Sequence, residues 1–350
     1  MLEENSNRCG LTIIVATYNA SWLIEETLNH LQNMETVPQL PWEVLLIDNN
    51  STDDTIERAK KIWQGDAELR IIQEKRQGTG YAKFKGMQEA KYDYIGIVDQ
   101  DNWVALDWML KAVEYLDHAS LAASVFGKGT PVFESTPPEW FERYQQNFAV
   151  GSQYETNGPV NDENCFFYAA GSVLRKKAFT QLTKLGFRPI LQSRAGSNLQ
   201  SGEDTELQIL LRMTGWELHY QDDLQFRHYM PAYRLTRQYF KKFRQGLGAT
   251  SVYLNLYRKY QKEEMSVSFE HCNSWQSLIK QSFWRVLGDP LALVARFFPR
   301  YTANHRIAKF WSHQGEFLER FRIGSELQQT QRNLYEWLDI ATASSIPNNP

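Results

Sequence analysis

Three short and almost unbroken apolar runs, each closed by a polar or acidic residue, constrain this chain more than any other feature. Residues 11–17, 43–48 and 94–99 read LTIIVAT, EVLLID and YIGIVD. Runs without a polar–apolar alternation belong to strands buried on both faces, which is the situation of a parallel sheet covered by helices. A weaker strand is predicted over residues 69–73, and amphipathic stretches at 21–34, 52–63 and 81–90 lie between the strands. The order β-α-β-α-β-α-β predicts an α/β fold with a mostly parallel sheet and flanking helices.

Further along, Trp108, Leu110, Val113 and Leu116 mark another helix, after which residues 128–164 lose periodicity and carry Pro131, Pro137 and Pro138. Long loops are expected there. A strand is predicted at 166–174, a helix at 203–213 stopped by Gly215, and one more strand at 216–221. From about residue 235 the pattern is helical and rich in aromatic and basic residues, with a frayed tail at 344–350. These shifts suggest a catalytic-type α/β domain over residues 8–250 and a helical C-terminal extension over 251–343.

Composition narrows the setting. With 350 residues, 42% apolar and 23% charged, the chain is long and apolar enough to bury a core without staples, and global disorder is excluded. Cys9, Cys165 and Cys272 are too far apart for a metal knuckle or a disulfide framework, so a cytoplasmic setting is expected. The longest apolar run, residues 11–16, falls far short of the roughly 18–20 residues of a membrane span. Residues 1–10 are polar and lack the basic and apolar regions of a secretory leader, so a short disordered lead is expected. A net charge of −3 argues against a nucleic-acid partner. Between residues 227 and 260, however, Arg227, Arg234, Arg237, Lys241, Lys242, Arg244, Arg258 and Lys259 occur without a single acid. Such a stretch suits a phosphate group or a membrane surface, or else a solvated helix face.

The strand ends carry the chemistry. Thr17-Tyr18-Asn19, Asp48-Asn49-Asn50 and Asp99-Gln100-Asp101 follow the three clear strands. In an open parallel sheet ligands bind beyond the carboxyl ends of the strands, so these residues should converge. Asp99 and Asp101, one residue apart, could jointly hold a hard divalent cation whose other ligands are substrate phosphates. Both Ser51 with Asp54 and Ser201 with Asp204 also fit a helix capping box, the structural alternative to a functional role.

Taken in order, these residues resemble the family 2 glycosyltransferases, whose GT-A fold is built on a Rossmann-type sheet. The resemblance rests on Thr17-Tyr18-Asn19, the run from Asp48 to Asp53, the stretch from Gly78 to Gly86, the pair Asp99 and Asp101, Ser201-Gly202-Glu203-Asp204, and His228. It implies a nucleotide-sugar donor, a divalent cation (Mn²⁺ or Mg²⁺) and inverting transfer to an acceptor hydroxyl, in the assembly of a cell-surface polysaccharide or glycan. Carried over residue by residue, it implies donor contacts from Thr17, Asn19, Asp48, Lys83, Asp99 and Glu203, a metal held by Asp99, Asp101 and His228, and Asp204 as catalytic base with Glu203 as its rival. The chain departs from the family at Ala82-Lys83-Phe84, where Lys83 keeps the charge of the usual arginine without its planar fork.

Chemistry supports the assignments. An acceptor hydroxyl needs a positioned carboxylate to take its proton, and Asp204 opens a predicted helix whose dipole favours the ionised form. His228 is preferred over His219 because it follows the predicted strand 216–221, and an imidazole ligand suits Mn²⁺ at least as well as Mg²⁺. Two rivals stay open at this point: a sugar nucleotidyltransferase, whose glycine-rich, arginine-containing N-terminal loop is missing here, and a catalytically silent carbohydrate-binding or scaffolding protein. A glycan or lipid-linked acceptor and a peripheral contact with the inner membrane face are further expectations. The second draws on Phe283, Trp284, Phe297, Phe298, Phe310 and Trp311; the alternative is that these aromatics pack against the catalytic domain.

Overall fold

The computed structural model describes residues 10–191, 199–264, 275–288 and 305–343. Among them are nine strands: β1 (Leu11–Thr17), β2 (Trp42–Asp48), β3 (Glu68–Gln73), β4 (Tyr94–Asp99), β5 (Asn102–Val104), β6 (Ala122–Phe133), β7 (Gly158–Pro159), β8 (Ser172–Arg175) and β9 (Glu217–Met230). They form one sheet in the order β3-β2-β1-β4-β8-β6-β9-β5, with β7 added alongside β9. β1, β2, β3 and β4 are mutually parallel, whereas β8 runs antiparallel to β4 and to β6. The expected mostly parallel core is present, extended by a mixed half.

The unbroken apolar runs are explained by what covers each face. Alternate residues of β1 point to opposite sides. Leu11, Ile13 and Val15 pack with α1 (Ile24–Gln32) and α4 (Trp108–His118), while Ile14 and Ala16 pack with α3 (Thr79–Glu89), α6 (Lys176–Lys184) and α7 (Glu203–Met213). With α2 (Thr55–Ile62) beside α1, both faces are dry. The parallel register places Thr17 opposite Asp48 and Ala16 opposite Asp99, so the polar strand ends share one edge.

Three expectations are corrected. Residues 128–133 belong to β6 rather than a loop, and Pro131 is tolerated because β6 pairs with β8 only at Ser124 and Val125 and, past a single bridge from Gly129 to Gly151, is flanked by β9 alone. The predicted strand 166–174 shrinks to β8, because the Phe167 and Tyr168 N–H groups donate to the side chains of Gln208 and Gln153, and Gly171 turns the chain with φ +68°. Strand β9 runs past residue 221 to Met230, so His228 lies within it rather than after it. The polar pair Asp222–Asp223 hides this continuity in the sequence.

Helix α8 (Arg237–Glu264) runs unbroken through residue 250, where the domain boundary is expected. After it come α9 (Trp275–Leu287), α10 (His305–Ile323) and α11 (Glu326–Ala343). α8 and α10 touch backbone to backbone: a Cβ on Gly248 would lie 1.8 Å from the Ser312 carbonyl, and one on Gly315 would lie 1.9 Å from that of Gln245. An aromatic cluster of Trp140, Phe148, Phe240, Phe243, Phe310 and Trp311 seals this pair onto the sheet domain. Phe310 and Trp311 are thus core residues, whereas Phe283 and Trp284 are exposed. Phe297 and Phe298, Cys9 and Cys272, and the segments 1–9 and 344–350 lie outside the described residues. No described helix is long and apolar enough to cross a membrane.

Candidate active site

A cleft of about 580 Å³ opens at the strand ends and is roofed by α7 and α8, a volume typical of a cofactor-sized ligand. Thr17, Lys83, Asp99, Asp101, Glu203, Asp204, His228 and Arg234 all line it. Residues more than 200 positions apart, Thr17 and Arg234 among them, therefore meet on one surface.

The acids fall into two groups. Asp99 and Asp204 share Lys83, whose Nζ lies 3.3 Å from Asp99 Oδ1 and 3.7 Å from Asp204 Oδ1. Lys83 is 6% exposed. Burial alone would lower its pKa, but Asp204, Asp99 and Glu203 outweigh that and hold it protonated. Asp101 sits in the second group with His228, Oδ1 to Nε2 3.5 Å, and with Arg234, whose guanidinium reaches Asp101 Oδ2 at 2.9 Å and His228 Nε2 at 3.3 Å. The turn between Asp99 and Asp101 is fixed by Asn102, which accepts from the Asp99 N–H at 3.0 Å and donates to Asp101 Oδ1 at 3.2 Å.

Asp204 stands in the first turn of α7 and accepts a hydrogen bond from the Ala169 N–H at 3.2 Å. The helix dipole favours ionisation. Burial acts the other way and dominates: it pushes the carboxyl up to about 6, Lys83 opposes, and Glu203 and Asp99 add to the rise. A base near neutrality is the more effective one at pH 7. Neither capping box forms, since the N-caps of α2 and α7 are Asp54 and Gly202 and neither helix has a side-chain cap bond.

Asp48 and Asn19 do not line the cleft. Asp48 Oδ1 accepts from the Ser51 N–H at 2.9 Å, and Asn19, at φ +46°, accepts from the Thr52 N–H at 2.8 Å and donates its own N–H to Ser51 Oγ at 3.1 Å. These bonds stitch the β1 and β2 loops together. Asn49 instead faces the cleft, donating to the carbonyls of Glu74 and Arg76 and accepting from the Gly78 N–H. His219 is occupied elsewhere, bonded to Tyr115 Oη at 2.7 Å and Glu217 Oε2 at 2.8 Å. Among the described residues no group of three or more His, Cys, Asp or Glu side chains is arranged to hold a metal. Asp101 and His228 are a two-donor set, and the Asp99 carboxylate belongs with Lys83.

Arg234 and Asn49 are site residues that the sequence alone does not single out. Arg234 appeared only as one of eight basic residues, and Asn49 only as a strand-end neighbour of Asp48.

Residues 12–183 match the model of glycosyl transferase family 2. Over that stretch, just under half of the chain, the sequence is similar to that family. The family match contains Lys83, Asp99 and Asp101 and ends before Asp204, His228 and Arg234. A poly-β-1,6-N-acetyl-D-glucosamine synthase of Staphylococcus aureus is 28% identical over 118 residues, 34% of this chain and 28% of that protein. The chain spans little over a quarter of the length of the curated relatives it matches. Among solved structures, the mannosyltransferase PcManGT of Pyrobaculum calidifontis, in complex with GDP-Man and Mn²⁺, superposes with a TM-score of 0.52 at 16% identity, covering 99% of this chain and 89% of that one. Staphylococcus aureus TarS 1–349 in complex with UDP gives 0.51 at 16%, covering 89% and 91%. At these identities the likeness establishes the GT-A fold.

Proposed function

We propose that the chain is an inverting glycosyltransferase that moves a sugar from a nucleoside-diphosphate sugar to an acceptor hydroxyl in polysaccharide assembly. The observation that carries this reading is the convergence of Asp99, Asp101, Glu203 and Asp204 on one cleft, with a buried lysine between two of them. Asp204 takes the proton of the attacking hydroxyl, and a single base facing a diphosphate leaving group gives one in-line displacement with inversion. Thr17, Lys83, Asp99 and Glu203 line the donor side. Asp48 and Asn19 shape it from behind by holding the β1 and β2 loops.

Asp101 and His228 fit a divalent cation, Mn²⁺ or Mg²⁺, which takes few protein ligands and completes its shell with phosphate oxygens and water. When bound, such an ion stabilises the negative charge that develops on the departing diphosphate. The buried His228 Nδ1 has no hydrogen-bond partner, leaving Nε2 as the nitrogen turned to Asp101. The PcManGT complex with GDP-Man and Mn²⁺ and the TarS complex with UDP are consistent with this donor class.

A thermal-shift screen of nucleoside diphosphates and their sugars with Mn²⁺ tests the reading, since a ligand that binds only the folded state raises the melting temperature. One base series should stabilise the protein in a Mn²⁺-dependent manner; no stabilisation by any of them overturns the assignment. A peripheral contact with an anionic membrane, presenting a lipid-linked acceptor, is part of the proposal. It is favoured by the exposed Phe283, Trp284, Leu287, Leu318 and Phe321 on α9 and α10.

A further inference from the structure

The position between Asp101 and His228 already holds a positive charge. One guanidinium nitrogen of Arg234 lies 2.9 Å from Asp101 Oδ2 and 3.3 Å from His228 Nε2. An atom within reach of both donors stands where an ion bound by both would stand. Arginine can only donate hydrogen bonds, so Nε2 must turn its lone pair toward Arg234, and that is the same lone pair a metal would take. Metal–ligand contacts are about 2.0–2.2 Å, shorter than either of these distances, and two cations cannot share the space. The arginine is also built to leave. It comes from the short 3₁₀ turn Ala232–Leu235, directly after β9, and keeps 16% of its side chain exposed to the cleft.

We propose that Arg234 is a built-in placeholder for the metal: its guanidinium neutralises Asp101 whenever no cation is bound, and a divalent cation binds by displacing it. This rests on the reading of Asp101 and His228 as the metal-holding pair. A placeholder supplies a full counter-charge to Asp101, only 4% exposed, when no donor is bound. It also lowers affinity for the bare ion, so the site fills when a donor diphosphate supplies ligands for the metal and a new anionic partner for the arginine. Metal and nucleotide affinities are then coupled, and by linkage the coupling is reciprocal.

The test is the affinity for Mn²⁺ alone, read from the loss of the free-ion electron paramagnetic resonance signal without nucleotide. Arg234→Gln and Arg234→Met, which remove the charge, should bind Mn²⁺ at least about tenfold more tightly than wild type. Arg234→Lys, which keeps a cation, should stay within about threefold. Adding Asp101→Asn to Arg234→Gln should erase the gain. Circular dichroism establishes which variants fold, and either neutral variant with a wild-type spectrum suffices. Nitrogen NMR of the arginine side chains gives an arm that needs no variant: Mg²⁺ should shift the Arg234 guanidinium resonance as the site fills. Neutral variants with wild-type or weaker affinity, a gain that survives Asp101→Asn, or an unmoved Arg234 resonance at saturation would each overturn the proposal. Failure of the transferase reading shows separately, as no nucleotide-dependent stabilisation in any variant.

Discussion

Replacing Lys83 by methionine removes the charge between Asp99 and Asp204 while keeping an unbranched stem at one of the buried positions of α3. At the observed 3.7 Å, and with an effective dielectric of about 20, the lysine–Asp204 attraction is about 4 kcal/mol, equal to about three pKa units. Because 26% of the Asp204 side chain is open to the cleft, water screens part of this, and a shift of about one to two units is the better expectation. Asp204, already raised to about 6 by burial, should then titrate between about 7 and 8. The acid limb of the pH profile of kcat/KM, which reports the free enzyme, should move up by that amount. Carbon NMR of the labelled aspartate carboxyls reads the same shift without turnover. The stability effect has a definite sign: a carboxyl that binds its proton more tightly when folded subtracts stability as pH rises from about 4 through about 6, and in the variant that window extends to about 8. An acid limb and a carboxyl resonance that titrate as in wild type would refute the argument that Lys83 sets the proton affinity of the base.

Asp204→Asn should leave donor stabilisation in the thermal-shift assay near wild type and lower turnover by about 10² or more; near-normal turnover with a loss in Glu203→Gln would move the base to Glu203. Gly202→Ala should cost about 1–3 kcal/mol and lower the melting temperature, because Gly202 sits at φ +130° and a Cβ would come within 2.4 Å of Thr250 Cγ2; an unchanged melting temperature would show that α7 is not seated as described. Asn49→Ala should cost about 2–4 kcal/mol by leaving the Glu74 and Arg76 carbonyls and the Gly78 N–H without their partner, and chemical denaturation showing less than about 1 kcal/mol would contradict the role of Asn49 as the clamp of this loop.

What the sequence made legible is what depends on neighbours along the chain. β1, β2 and β4 announce themselves as apolar runs, and the acids at their ends follow from the parallel register. β9 was half visible because its pairing with β5 and β6 is made by residues about a hundred positions away, and no local pattern carries Asp222 and Asp223 through a strand. At Asp204 the helix dipole is the smaller of two opposing influences. A helix N-terminus contributes about 0.3–1 kcal/mol, whereas desolvation of a buried carboxylate shifts its pKa by units, and burial cannot be read from residues 201–204 alone. Lys83 was legible as a charge, yet its two partners come from β4 and α7, which only the folded chain brings together. Arg234 was hidden for the same reason, since nothing in a basic stretch distinguishes an arginine that turns inward to Asp101.

The exposed aromatics of the C-terminal helices make a last prediction that separates a membrane-docking surface from packing. Phe310 and Trp311 are buried in the seam with the sheet domain, but Trp284 is 59% and Phe321 69% exposed, and the rings run on through Phe283 to Phe317 at 5.8 Å and Phe317 to Phe321 at 6.3 Å. Lys280 and Arg322 are exposed on the same two helices. Burying one such aromatic in the interface is worth about 1.5–3 kcal/mol at most, and each basic residue near anionic lipid about 1 kcal/mol. Trp284→Glu with Phe321→Glu removes two anchors and adds two repelled charges, so vesicle partitioning should fall by at least about 10²-fold while Asp204-dependent turnover on a soluble acceptor is retained. Co-sedimentation with anionic and neutral vesicles at low and high salt reads this directly. Wild-type protein that fails to pellet with anionic vesicles, or a double variant that pellets as wild type does, refutes membrane docking by this surface. If the wild type instead dimerises in sedimentation velocity and the double variant does not, the patch is a contact between two copies of the chain, and the acceptor must reach the cleft from solution.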